Sequence, residues 1–131
     1  NFVAAHDVGK AINPDLVTAQ VEGAAAQGIG YALTEDMIYD GNAKLLNNSF
    51  TDYKVPRSTD MCPIEVIVVE AYEPSGPYGA KSVGEMAVAP VAPAIANAIY
   101  DAAGIRIPSL PFTKEKVRAA IKEKMAKEKK S

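Results

Sequence analysis

Two stretches carry residue types that could do chemistry. The first is Gln20-Val-Glu-Gly-Ala-Ala-Ala-Gln-Gly-Ile-Gly30. Read as a helix, it puts Gln20, Gly23, Ala24, Gln27 and Tyr31 on one stripe. Two uncharged carboxamides then flank a surface of small residues, which suits a flat, polar ligand. The same pattern arises where helices pack closely and the amides bond to neighbouring backbone. Gly23 and Gly28 are spaced like the opening of a phosphate-binding loop, but Ile29 stands where that motif needs lysine.

The second stretch is Gly76-Pro-Tyr-Gly-Ala-Lys-Ser-Val-Gly-Glu85. Its glycines let backbone approach other groups closely. Glu85 closes the loop just before an uncharged run, so its carboxylate either faces water or sits in an apolar pocket as a base with raised pKa. Taken alone, the solvated state is the commoner one for a glutamate. Lys81 is placed to offset part of any such shift. His6 and Asp7 form a pair without a serine or cysteine nucleophile in an elbow, which points to a structural role. Cys62, beside Pro63, reads as a small buried side chain. One thiol and one imidazole cannot complete a cysteine-based zinc or iron–sulfur site, so no metal ligands are assigned within the chain.

The elements that must position these residues form an α+β pattern. Residues 2–8 are apolar and suit a strand. Asn13-Pro14-Asp15 reads as a cap, a first-position proline and a first-turn acid, opening a helix that runs to about Leu33. From Leu16 to Thr34 its only charge is Glu22, so it is expected to be buried nearly all round. Its glycines cost helix stability, about 1 kcal/mol each, and close approach of a neighbour should offset that. Residues 45–53 and 64–72 are expected strands, the latter rich in Val and Ile. A second helix covers residues 90–103 and stops at Gly104; Thr113 caps a terminal one. The expected fold is a mixed small sheet of at least three strands, two largely buried helices and a charged C-terminal helix.

Composition bounds the rest. The chain has 131 residues, 48% hydrophobic and 23% charged, which excludes disorder and gives one domain by length. A single cysteine excludes an internal disulfide and fits a reducing, cytoplasmic compartment. The longest uncharged run, residues 86–100, is too short to span a membrane and carries Pro90 and Pro93. Residues 114–131 hold eight basic and three acidic side chains, whereas the rest of the chain is net acidic. Val117, Ala120, Ile121 and Met125 recur at helical spacing there, so the tail reads as a solvated helix, and no nucleic-acid partner is expected.

Four stretches now stand in order: His6-Asp-Val-Gly-Lys-Ala-Ile-Asn-Pro14, Ala19–Gly30, Gly76–Glu85 and Val91–Tyr100, with Asp52-Tyr-Lys-Val-Pro56 between them. Together they resemble the C-terminal part of the molybdopterin-binding subunit of the xanthine dehydrogenase/aldehyde oxidase family. The resemblance covers about residues 3–121. It implies that Gln20, in Gln-Val-Glu-Gly, lies against the molybdenum cofactor. It implies that Glu85, closing Gly-Ala-Lys-x-Val-Gly-Glu, is the general base, buried and poised. Met86 departs from the proline that many members have there.

The implied activity is hydroxylation of an electron-poor C–H carbon in a small-molecule substrate, with oxygen from water. Electrons would leave through [2Fe-2S] clusters and FAD on other domains or subunits. The implied partners are the remainder of the molybdopterin-binding subunit and the iron–sulfur and flavin subunits, in an oligomeric intact enzyme. Residues 1–112 are then expected to be part of a molybdopterin-binding domain, and residues 113–131 its Lys/Glu-rich terminal helix. The start at Asn1 is expected to be a boundary inside a longer chain, and the isolated chain to be inactive. A non-catalytic assembly module of the same fold is the alternative.

Overall fold

The computed structural model describes residues 1–129. Its elements run β1 (Phe2–Asp7), α1 (Pro14–Leu33), β2 (Ile64–Val69), α2 (Val91–Ala103) and α3 (Lys114–Glu128), with short 3-10 turns at Ser58–Asp60 and Pro77–Gly79. The α+β class holds. The sheet is smaller than expected: β1 pairs with β2 in parallel, from Phe2 opposite Ile64 to Asp7 opposite Val69. Residues 45–53 form no strand; they are turns and bends joined by one antiparallel bridge between Tyr39 and Leu45. Side chains bond the backbone locally there and compete with a ladder. Asn47, buried, accepts from the Ile38 N–H at 2.9 Å and donates to the Asp36 carbonyl at 2.6 Å.

The chain divides into two compact units. The first comprises residues 1–28 and 57–91. Its core gathers Ala4, Val21, Ala24 and Ala87, with Phe2, Val66, Val83 and Val88 packed around them. Strand alternation explains the choice: Phe2, Ala4 and His6 turn to the more enclosed face of β1, while Val3 and Ala5 are exposed. Helix α1 starts as its residues predict. The Asn13 side chain accepts from the Leu16 N–H at 3.1 Å, satisfying one of the first-turn donors. Gly28 earns its place by close approach, since a Cβ there would sit about 2.5 Å from that of Val91.

The second unit comprises residues 29–56 and 92–131. Residues 52–56 are strapped to the end of α1: Tyr53 O–H donates to Glu35 at 2.8 Å, and the Thr34 hydroxyl to the Lys54 carbonyl at 2.8 Å. Gly30 leaves room for the Pro56 ring, which a Cβ would meet at 2.7 Å. Gly104, at φ +64°, ends α2, and the Lys124 ammonium donates to the Ala103 carbonyl at 2.9 Å, where a cation complements the helix dipole. Thr113 caps α3 through the Lys116 N–H at 3.3 Å. The last two residues of the predicted 113–131 helix lie outside the described residues.

Both apolar helices are less enclosed than their composition predicts. Val21, Ala24, Ala25, Gly28 and Ala32 form the buried stripe of α1, but Leu16, Gln20, Gly23, Gln27 and Tyr31 are exposed. In α2 only Val91 is buried. Charge-poor sequence therefore marks faces that this chain alone does not cover. No described helix is long and apolar enough to cross a membrane.

Candidate functional site

The site is built on the first unit. Beyond β1 the chain turns at Gly9, whose φ of +62° favours glycine. The residues 79–81 backbone lies directly against it. A Cβ at Gly9 would press into the Gly79 carbonyl oxygen and stand 2.8 Å from the Lys81 nitrogen. Two hydrogen bonds fix this approach: Lys10 N–H to Gly79 O at 2.7 Å, and Lys81 N–H to Val8 O at 2.9 Å. The glycine-rich loop is thus docked on the end of β1, and Gly79 is itself left-handed, at φ +79°, under the Tyr72 ring.

Charge reinforces the docking. Asp7 Oδ1 accepts from the Gly9 N–H at 3.0 Å and the Ala71 N–H at 3.3 Å, and Oδ2 pairs with the Lys81 ammonium. The Lys81 hydrogen bond, followed by the Gly9 N–H, holds the Asp7 carboxyl below the usual aspartate range. Nearby, Glu70 accepts from Lys10 at 2.9 Å and from the Ala11 N–H at 2.8 Å, which lowers its pKa as well. The His6–Asp7 pair is structural in its acidic half: Asp7 braces the turn.

Gln20 and the Glu85 loop meet. The Gln20 side-chain amide donates to the Gly84 carbonyl at 2.9 Å, across 64 positions of sequence and one residue from Glu85. They border an open cleft of about 460 Å³, lined by Lys10, Asn13, Leu16, Gln20, Lys81 and Gly84 among others. Glu85 itself is exposed in this chain, not buried as the resemblance implies. Cys62 is exposed too, against expectation. Gly23 answers a different need from Gly28: a Cβ there would meet nothing within 4 Å, so its bareness faces open space.

Sequence reasoning gave Asn13 a capping role, Asp7 a structural one and Lys81 a charge effect on Glu85, but it did not pair Asp7 with Lys81 or bring Lys10 and Asn13 to the cleft. No local signal joins Asp7 to Lys81, which lie 74 positions apart in the sequence. Among the described residues no group of three or more His, Cys, Asp or Glu side chains gathers as a metal site. The strip Gln20–Gly23–Gln27 offers instead carboxamide donors and acceptors and bare backbone, a set that fits a large flat polar heterocycle rather than a bare ion.

Comparison with known proteins gives the context. Residues 1–62 match the family described as "Molybdopterin cofactor-binding domain". The chain is 42% identical over 113 residues to the putative xanthine dehydrogenase molybdenum-binding subunit XdhA of Escherichia coli K12, covering 86% of this chain and 15% of that protein. It is 38% identical over 119 residues to the gamma subunit of the 6-hydroxypseudooxynicotine dehydrogenase complex of Paenarthrobacter nicotinovorans, with 88% and 15% covered. The crystal structure of quinoline 2-oxidoreductase from Pseudomonas putida 86 superposes with a TM-score of 0.81 at 34% identity, over 92% of this chain and 16% of that one. The chain thus spans about 15% of the length of the curated relatives named here.

Proposed function

This chain belongs to the xanthine dehydrogenase/aldehyde oxidase family, and from that premise we propose that it forms the base-bearing part of a molybdenum hydroxylase site. Residues 1–112 are read as part of the molybdopterin-binding domain, and the Lys/Glu-rich residues from 113 on, with α3 (Lys114–Glu128), as an appended charged segment. The strip of Gln20, Gly23 and Gln27 would hold the cofactor, its amides bonding the polar edge of the pterin and its bare glycine admitting a flat surface. When bound, the molybdenum cofactor supplies the two-electron oxidation and the activation of water-derived oxygen.

The protein's own task is proton transfer and position. Glu85 acts as general base, its carboxylate accepting the proton released as the C–H carbon of a small, electron-poor substrate is hydroxylated. Gln20 serves twice: it faces the cofactor and, through Gly84, sets where the Glu85 segment stands. The observation that supports this reading most is that hydrogen bond, which ties the cofactor contact to the residue preceding the base. The remaining cofactor contacts, the substrate pocket, the iron–sulfur and flavin centres and the partners that carry them belong to the intact enzyme, an oligomer on this reading. The chain alone is inactive.

Glu85→Gln in the molybdenum-loaded enzyme tests the role. Turnover should fall about 10²–10⁴-fold, the usual worth of a general base, with molybdenum content unchanged. Near-normal turnover would remove Glu85 from the mechanism.

A further inference from the structure

Between its docking on β1 and the Gln20–Gly84 bond, the segment leading to Glu85 is fixed by one ionic contact. Asp7 is well suited to make it. Its Oδ1 is already aimed by two backbone N–H groups, from Gly9 in the turn after β1 and Ala71 beyond β2. Its Oδ2 is left for the Lys81 ammonium. Glu73, another carboxylate that feels the Lys81 charge, is taken by the Ser75 N–H at 3.0 Å and the Ser75 hydroxyl at 2.6 Å. Lys81 lies four residues before Glu85, and its own N–H is bonded to Val8.

We propose that Asp7 and Lys81 are positioning residues that clamp the Glu85 segment onto the end of β1, so that the carboxylate meets substrate in one place. The proposal rests on the reading of Glu85 as the base. Neither residue touches the reacting atoms. A half-exposed ion pair adds little to global stability, so its effect is local order in the loop. Positioning matters because a small displacement of a catalytic group costs rate out of proportion to its energy.

The test uses Asp7→Asn, which keeps the acceptor for Gly9 and Ala71 but loses the charge pair, and Lys81→Met, which keeps the stem but loses the ammonium. In the chain, amide hydrogen exchange at Lys10 and Lys81, whose N–H groups bond across the dock, should quicken about fivefold in both variants, the effect expected of one such pair. The β1–β2 ladder amides should keep their protection. In the molybdenum-loaded enzyme, kcat should fall about tenfold with KM unchanged, and Lys81→Arg should restore most of it. Unchanged exchange at Lys10 and Lys81 overturns the clamp, and so does a general loss of ladder protection, which marks a merely structural role. The exchange result stands apart from the base assignment: if Glu85→Gln stays active, the base reading fails while these amides still decide whether the clamp exists.

Discussion

Residues 76–85 and residues 52–56 are fastened by the same devices and end differently. Each lies over a glycine that admits it, Gly9 for the first and Gly30 for the second. Each is held by side-chain hydrogen bonds involving a carboxylate, Asp7 for the loop and Glu35 for the strap. The loop then runs on to an exposed glutamate beside a cleft, whereas the strap spends its polar groups internally, Tyr53 on Glu35 and Thr34 on Lys54. The two regions therefore differ in where they end: the strap bonds Tyr53 and Lys54 within the chain, whereas the loop leads to the exposed Glu85.

The glycines break the comparison most sharply. Gly9→Ala meets both a left-handed backbone and opposing backbone atoms that cannot yield, and should cost about 3 kcal/mol. Gly30→Ala meets a glutamate end and a proline ring and gains helix propensity, so about 1 kcal/mol is expected. Urea denaturation of both variants gives the ranking; equal losses would erase the distinction drawn between the two docks. Next comes Tyr53→Phe. Removing the phenol leaves Glu35 without its donor and should cost about 1 kcal/mol, while turnover of the loaded enzyme stays unchanged. A fall in turnover would move the strap among the functional parts.

The smallest effect is the most diagnostic, because the two regions should fail at opposite ends of the pH scale. Asp7 titrates lower in the folded chain than unfolded, so its contribution is present above about pH 4 and fades as pH falls through its depressed folded value. Tyr53 is raised, chiefly by its hydrogen bond to Glu35, so its contribution is present below about pH 10 and is lost as pH rises through the higher folded value. Amide protection, taken relative to the intrinsic exchange rate at each pH, should therefore fall first at Lys81 in acid and first at Thr34 and Tyr53 in alkali. Loosening of both regions together at either end would contradict the assignment.

Much of this frame could be read before any coordinates. The cap at Asn13, the stop at Gly104, the cap at Thr113 and the Val/Ile run of β2 are local signals, and each element they delimit is present. The error at residues 45–53 is local too: Asn47 and Ser49 engage nearby backbone instead of a ladder, the Ser49 carbonyl accepting from both Asp52 and Tyr53. What could not be read is long-range. Nothing near Gln20 announces Gly84, and nothing near Asp7 announces Lys81, because those pairs exist only once β1, α1 and the loop are docked. The exposed stripe of α1 was misread for a further reason. Absence of charge says that a face avoids water, not that this chain supplies its cover.

The way the two units share the chain bears on inheritance and engineering. The polypeptide passes from one to the other after residues 28, 56 and 91. No single breakpoint separates them, so one recombination event cannot exchange either unit and leave the other whole. A splice at residue 28 divides α1, and one at residue 91 severs α2 from its first residue. A chimera that keeps both units whole must therefore exchange loop, strap and helices together.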